Sequence, residues 1–178
     1  MSVIPIHTSN FEEGCGFFID HYFLTSGHVI TNSENPYINV NQKKITLINP
    51  IFFENDKNDP RGYDLAIFDV KEVYGALELF IGEAEPGEIF KSLSYKELGI
   101  KYVECDIEVN DYKEGHYFGG YSNINLKEGC SGSPILSGNK VVGMMTAGNN
   151  DGTDNPTIAD LPLNFCIFLS SKYINDVL

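Results

Sequence analysis

The sequence predicts an all-β fold with two barrel-like halves and a short C-terminal helix. Short apolar or alternating runs recur along its 178 residues and are separated by Gly, Asn, Asp and Pro, which is typical of strands and turns. About a dozen such runs favour a sandwich or barrels. A segment rich in Gly, Pro and Glu at 81–88 divides them into two groups of similar number. We therefore expect one domain, 1–178, with an N-terminal half over about 1–83 and a C-terminal half over about 84–169.

The predicted elements follow the chain in order. In the N-terminal half, strands are expected at 16–19, 22–25, 38–40, 45–53 and 64–70. In the C-terminal half, they are expected at 88–95, 102–109, 116–121, 133–136, 140–147 and 164–169. Apolar and acidic side chains alternate along YVECDIEV (102–109), which places Cys105 in the core. Only 170–178 looks helical, because its apolar residues fall on one side.

Composition and charge limit the classes of function. The net charge of −13 argues against a nucleic-acid partner, and it either only maintains solubility or favours basic peptides. No apolar run approaches the roughly 18 residues of a membrane-spanning helix. The N-terminus lacks the features of a secretory signal, so we expect a cytoplasmic protein. We also expect a monomer. The four cysteines lack metal-ligand spacing, so no metal is expected, and no cofactor is expected either. Buried free thiols are the simplest interpretation of these cysteines, while disulfides remain open.

A glycine-rich turn, GCSGSP (129–134), places a thiol beside a hydroxyl. Glycine permits backbone conformations in which two amide N–H groups point into one small space, and such a space can stabilise an oxyanion. A nucleophile in this turn also needs a base, and the base needs an orienting acid. His28 ends the apolar strand of LTSGHVI, and Asp64 begins that of YDLAIF. These two residues can fill both roles, because an interior carboxylate needs a partner such as an imidazole N–H.

Three segments resemble those of the chymotrypsin-like serine proteases. LTSGHV (24–29) is similar to the histidine segment of that family, DLAIF (64–68) to its aspartate segment and GCSGSP (129–134) to its nucleophile segment. They occur in the family's order. The following SGNKVVG (137–143) resembles the bacterial glutamyl-endopeptidase branch.

The resemblance implies two six-stranded antiparallel β-barrels and the activity of a serine endopeptidase. It implies that His28, Asp64 and Ser131 are catalytic and that they act through an acyl-enzyme intermediate. The N–H groups of Gly129 and Ser131 would form the oxyanion hole. The substrate would be a protein or peptide, with one dedicated target or activator as a possible partner.

The resemblance also implies where the substrate binds. Thr146, Ala147 and Gly148 match the segment that pairs with the substrate backbone as an added strand. Met145 stands where glutamate- and glutamine-cleaving relatives have a histidine, and Asn125 falls near the position of the acid in trypsin-like enzymes. Neither residue is charged, so we expect a polar or apolar specificity pocket.

Two alternatives remain open. A thiol is a better nucleophile than a hydroxyl near neutral pH, so Cys130 competes with Ser131 for that role. In the second alternative the fold is a pseudoprotease, either catalytically silent or activated by a partner, that serves as a peptide-binding module. Cys130 occupies a position where many secreted relatives have an aspartate that pairs with a newly cut N-terminus. We therefore expect no activation by N-terminal cleavage and another means of holding the turn.

Overall fold

Fourteen β-strands and two short helices form the part of the chain that the structure describes. The computed structural model describes residues 3–9, 14–55, 63–72, 74–75, 77–96, 101–124, 126, 130–148 and 164–178. The strands before residue 81 are β1 (Ile4–Ile6), β2 (Gly14–Ile19), β3 (Tyr22–Thr25), β4 (Tyr37–Val40), β5 (Lys43–Thr46), β6 (Phe52–Glu54), β7 (Leu65–Asp69) and β8 (Glu78–Leu79). The later strands are β9 (Ile89–Lys96), β10 (Lys101–Glu114), β11 (Tyr117–Ser122), β12 (Pro134–Ser137), β13 (Lys140–Gly148) and β14 (Phe165–Ser170). The helices are α1 (Gly27–Asn32) and α2 (Ser171–Val177).

The C-terminal half is a closed antiparallel barrel of six strands. Its strand order is β12-β9-β10-β11-β14-β13, and pairing between β12 and β13 closes the sheet. Strand β8 adds to the outside of this barrel, where it runs parallel to β13. Closure covers the edges of β12 and β13 as far as Met144, which an open sheet of this size would expose.

The N-terminal half consists of a five-stranded sheet and a separate hairpin. The sheet has the order β1-β2-β3-β7-β6, and the hairpin pairs β4 with β5. An isolated bridge between His7 and Tyr37 joins the end of β1 to the hairpin. The two sheets therefore bend around one apolar interior without forming a continuous ladder.

The all-β prediction and the short C-terminal helix are confirmed, and a six-stranded barrel is present in the C-terminal half. The N-terminal half differs from the expected closed barrel because the predicted strand over 45–53 is broken in two. Asn49 adopts a positive φ of 53°, and Pro50 has no N–H to donate to a ladder. The chain turns at these residues, so β5 stays with β4 while β6 pairs with β7.

An apolar cluster joins the two halves and adds to the separate core of each. Phe17, Leu24 and Leu65 from the N-terminal sheet pack in it with Met144 and Leu169 from the barrel. Each such side chain contributes roughly 1.5–3 kcal/mol when it is fully buried. We call the line along which the halves meet the seam; the residues singled out by the sequence lie along it.

Helix α1 was not predicted from the sequence. His28 was expected at the end of a strand, but β3 ends at Thr25 and the chain turns into a helix at Gly27. Val29 is buried and fixes the inner face of this helix. Ser26 occupies the N-cap position without capping the helix, because its hydroxyl donates to the carbonyl of Met145 across the seam.

Candidate active site

His28 lies in the first turn of α1, where the helix approaches the end of β6 very closely. A side chain at Gly27 would place its Cβ 2.5 Å from the carbonyl oxygen of Glu54 and 3.1 Å from Oδ1 of Asp64. Only glycine fits without a shift of the backbone, so Gly27 lets His28 sit directly against Asp64. The His28 side chain remains 31% exposed, so one edge of its ring is open to other molecules.

Asp64 immediately precedes β7 and uses both carboxylate oxygens on His28. Its Oδ1 accepts the His28 main-chain N–H at 2.7 Å, and its Oδ2 lies 2.5 Å from the ring Nδ1. The main-chain N–H of Asp64 donates to the hydroxyl of Tyr117 at 2.9 Å. The Asp64 side chain is only 17% exposed, so these bonds replace most of its hydration.

Ser131 presents its hydroxyl to the other side of the same imidazole ring. Its Oγ lies 3.0 Å from Nε2 of His28. The neighbouring Cys130 is only 4% exposed and belongs to the core cluster of the barrel. Of the two candidate nucleophiles in the turn, only the hydroxyl therefore reaches the imidazole.

The hydrogen-bond pattern selects the tautomer of His28. An ionised carboxylate only accepts hydrogen bonds, so Nδ1 must carry the proton that faces Asp64. The lone pair on Nε2 then faces the hydroxyl of Ser131, which donates to it. A hydroxyl, an imidazole and a carboxylate that meet in one row in this way have the geometry needed to remove a proton from the hydroxyl.

One edge of β13 beside the turn has no partner strand among the described residues. Ala147 and Gly148 pair with β14 on one side, and the hydroxyl of Thr146 donates to the carbonyl of Ile167 at 3.1 Å. On the other side, β12 pairs with β13 no further than Met144. Within the described ranges, no strand covers this second edge from Thr146 to Gly148.

The two methionines before this edge face opposite ways. Met144 packs in the cluster along the seam, whereas Met145 packs in the barrel core together with Leu126, Cys130 and Cys166. Met145 is thus the one that packs beside Cys130, at the start of the turn at 130–133.

Two predicted site residues, Gly129 and Asn125, lie outside the described residues. The roles expected for them, an oxyanion N–H and a pocket position, therefore stay predictions. Among the residues that the structure does describe, no group of His, Cys, Asp or Glu side chains could hold a metal ion.

Sequence reasoning missed Tyr117, whose hydroxyl accepts the main-chain N–H of Asp64. Burial raises the pKa of the Tyr117 phenol, and the nearby charge of Asp64 raises it further. Tyr63 stands between Tyr117 and Tyr173, with ring centroids 5.7 and 4.1 Å away. No local signal marks these aromatic residues, since HYFGGY (116–121) has the pattern of an ordinary strand.

A cavity of about 360 Å³ lies behind this aromatic group. Its walls include Glu83, Lys113, His116, Tyr117 and Lys172. None of His28, Asp64 and Ser131 lines it, so the cavity is separate from the row that these three side chains form.

None of the helices among the described residues is long and apolar enough to cross a membrane.

Comparison with known proteins finds similarity in structure only. No family model and no curated protein sequence matches this chain. The active form of the Rv3671c protease of M. tuberculosis superposes with a TM-score of 0.71 at 17% identity, over 98% of this chain and 78% of that one. The serine endoprotease of Yersinia pestis superposes with a TM-score of 0.73 at 14% identity, over 99% of this chain and 61% of that one.

Structural neighbours also include proteins named as inactivated. The scabies mite inactivated protease paralogue S-D1 superposes with a TM-score of 0.68 at 12% identity, over 98% of this chain and 89% of that one. These similarities establish that the chain has the chymotrypsin fold. Since active and inactivated proteins share this fold, the fold alone does not decide activity.

Proposed function

We propose that this protein is a serine endopeptidase in which His28, Asp64 and Ser131 cleave peptide bonds through an acyl-enzyme intermediate. One observation carries the proposal: the Ser131 hydroxyl lies 3.0 Å from Nε2 of a histidine whose ring and main-chain N–H groups are both held by Asp64. The chymotrypsin fold of the chain adds support, since several of its neighbours are named as proteases.

In the first half of the proposed reaction, Ser131 attacks the carbonyl carbon of the scissile bond. A bond forms between Oγ and that carbon, the carbonyl electron pair moves to oxygen, and Nε2 of His28 takes the hydroxyl proton. Asp64 stabilises the resulting imidazolium through the bond to Nδ1. The intermediate then collapses, the C–N bond breaks, and His28 returns the proton to the leaving amine.

In the second half, water replaces the amine and the steps run in reverse. His28 removes a proton from the water, which attacks the carbonyl carbon of the acyl ester. The bond to Ser131 then breaks as the carboxylic acid forms, and His28 returns the proton to Oγ of Ser131. The N–H groups of Gly129 and Ser131 are proposed to bind the oxyanion in both halves. The substrate would lie extended along Thr146–Gly148, on the edge that no described strand covers, and add a strand to the barrel.

The buried thiol favours Ser131 over Cys130 as the nucleophile. Attack by Cys130 would require its side chain to leave the barrel core, where it is 4% exposed. The hydroxyl of Ser131 needs no movement to reach the base. We therefore assign Cys130 to packing and Ser131 to chemistry.

A covalent labelling experiment tests the proposal. The protein is incubated with a fluorophosphonate probe, which reacts with an activated serine, and the modified residue is identified by mass spectrometry. We expect label on Ser131 in the wild type and in Cys130→Ala, and no label in Ser131→Ala. Circular dichroism and thermal unfolding establish that each variant is folded.

Two outcomes would contradict the proposal. Label that persists in Ser131→Ala and disappears in Cys130→Ala would identify the thiol as the nucleophile. A folded wild type without any label would favour the peptide-binding module or an enzyme that waits for an activator. In that second case, the edge of β13 from Thr146 to Gly148 is the surface on which to look for a bound peptide.

A further inference from the structure

We propose that Cys15 is a positioning residue for the nucleophile: together with Thr25 and Ser26, it holds the turn at 130–133 against the N-terminal half. We call Cys15, Thr25 and Ser26 the clasp. This inference rests on the proposed function, because it assumes that Ser131 is the nucleophile.

Cys15 contacts the turn on both sides of Gly132. It is a fully buried residue of β2. Its main-chain N–H donates to the carbonyl of Ser131 at 3.0 Å, and its Sγ lies 3.0 Å from Oγ of Ser133. The thiol is also 3.7 Å from the Ser131 carbonyl. Main chain and side chain of one residue therefore fix the residues at positions 131 and 133.

Gly132 shows how closely Cys15 and the turn approach. Its φ is +92°, and a Cβ built on it would lie 1.8 Å from the carbonyl oxygen of Cys15 and 2.7 Å from Oγ1 of Thr25. The Thr25 hydroxyl donates to that same carbonyl at 2.8 Å. The Cys15 carbonyl is thus held by β3 while the turn lies directly against it.

Ser26 links the base to the nucleophile through a single acceptor. Its hydroxyl donates to the carbonyl of Met145 at 3.1 Å, and the N–H of Gly132 donates to the same carbonyl at 2.8 Å. Ser26 precedes His28 by two positions, and Gly132 directly follows Ser131. The main chains beside the base and the nucleophile are therefore tied to one oxygen atom, which helps set the separation of Nε2 and Oγ.

The clasp provides a means of holding the turn when position 130 carries no charge. Cys130 is buried and cannot form the ion pair expected of an aspartate there. Cys15 of β2 contacts the turn directly instead. Thr25 of β3 holds the Cys15 carbonyl, and Ser26, just before α1, bonds to the Met145 carbonyl that also accepts the N–H of Gly132. Since a displacement of about 1 Å can lower a rate by about 100-fold, these contacts should affect chemistry beyond their effect on stability.

If Cys15 only fills space, its alanine and serine variants should rank differently in labelling rate than they do if it positions the turn. A buried cysteine that only fills space behaves as a small hydrophobe, so alanine should replace it at least as well as serine. The positioning role predicts the reverse, because only serine keeps a hydrogen-bonding group opposite Ser133. Cys105, a buried thiol of the barrel core, offers the matched control for both substitutions.

The experiment compares Cys15→Ala, Cys15→Ser, Ser133→Ala, Cys105→Ala and Cys105→Ser with the wild type. One readout is the rate at which a fluorophosphonate labels Ser131, and the second is hydrogen–deuterium exchange of the peptide that contains 130–133. We expect labelling at least about 10-fold slower in Cys15→Ala and Ser133→Ala, with Cys15→Ser nearer the wild type. Exchange at 130–133 should rise about 10-fold in the same two variants and stay unchanged in both Cys105 variants.

The two readouts separate the failure of the clasp from the failure of the proposed function. If the wild type is labelled but Cys15→Ala is labelled as fast as Cys15→Ser, the positioning role is wrong. If the wild type takes no label, the proposed function fails, and exchange alone decides the clasp: unchanged exchange in Cys15→Ala overturns it. If Cys15→Ala does not fold, Ser133→Ala removes the same contact from the other side and gives the answer.

Discussion

Substituting Asp64 with asparagine tests whether the carboxylate selects the tautomer of His28. The wild-type side chain offers two acceptor oxygens, and His28 uses both, one with its main-chain N–H and one with its ring Nδ1. Asparagine has nearly the same shape but only one acceptor oxygen, since its NH₂ group donates. One of the two bonds must therefore be lost.

Two arrangements of the amide are open, and each is costly. If the oxygen stays on the main-chain N–H of His28, the NH₂ group faces Nδ1, and the ring proton moves to Nε2. The base then cannot accept the proton of Ser131. If the amide turns over, the tautomer survives, but the main-chain N–H of His28 is left unpaired at a cost of about 1–3 kcal/mol.

The expected loss of activity follows from these two arrangements. A cost of about 1–3 kcal/mol leaves the productive arrangement populated roughly 5- to 150-fold less than the other, if nothing offsets it. The neutral amide also stabilises the imidazolium less than a carboxylate does, because charge-assisted hydrogen bonds are about twice as strong. The corresponding change in an established serine-protease triad lowers kcat about 10⁴-fold. We therefore expect a fall of between about 10² and 10⁴ for Asp64→Asn.

The assay is the second-order rate of fluorophosphonate labelling, which needs an activated serine but no knowledge of the natural substrate. Asp69→Asn is the matched control, because Asp69 ends β7, the strand that Asp64 precedes, and its Oδ1 accepts the N–H of Lys71 at 2.9 Å, away from His28. Urea unfolding of both variants separates a loss of fold from a loss of chemistry. Labelling of folded Asp64→Asn at the wild-type rate would refute the reasoning about the tautomer.

Three further predictions concern stability at the seam. Gly132→Ala should lower the free energy of unfolding in urea by at least about 3 kcal/mol, because it adds overlap with Cys15 to the strain of a positive φ. Gly138 has a φ of +62° and no atom within 4 Å of an added Cβ, so Gly138→Ala should lower it by only about 1–2 kcal/mol. Equal losses in the two variants would contradict the overlap. Tyr117→Phe leaves the N–H of Asp64 without its acceptor and should lower the free energy of unfolding by about 1–3 kcal/mol. Labelling of this variant should be slowed less than that of Asp64→Asn. An unchanged stability would show that the bond is dispensable. Burial and the charge of Asp64 raise the pKa of Tyr117, so the folded protein keeps the phenol proton at pH values where the unfolded chain loses it. The free energy of unfolding should therefore fall as pH rises above about 10. A decline of equal slope in Tyr117→Phe would exclude Tyr117 as a cause.

The local patterns of the sequence predicted the residues that meet, because each lies in a short motif. His28, Asp64 and Ser131 each stand beside small residues or at the start of an apolar run, and the structure brings their side chains into one row. The barrel strands also follow from local alternation: Cys105 and Ile107 are buried as the period of two requires.

The rest depended on contacts between distant segments. Helix α1 contains Val29, Ile30 and Thr31, whose branched side chains favour strands, so the tight approach at Gly27 overrides local preference. The partners of Ser26 and Thr25 could not be inferred, because both hydroxyls bond to main-chain carbonyls far along the chain or in another strand. A carbonyl is present at every position, so it leaves no mark in the sequence.

The same reason explains how this chain keeps the chymotrypsin fold at only 12–17% identity to the neighbours described above. Most bonds that set the turn at 130–133 have a main-chain atom as at least one partner, including both bonds to the carbonyl of Met145. Such bonds survive a change of side chain as long as the backbone path is kept. What the path itself requires is a few small residues, such as Gly27 and Gly132, where any larger side chain would meet backbone atoms. Sequence identity can therefore fall at most positions outside these glycines and the clasp before the backbone path around the turn changes.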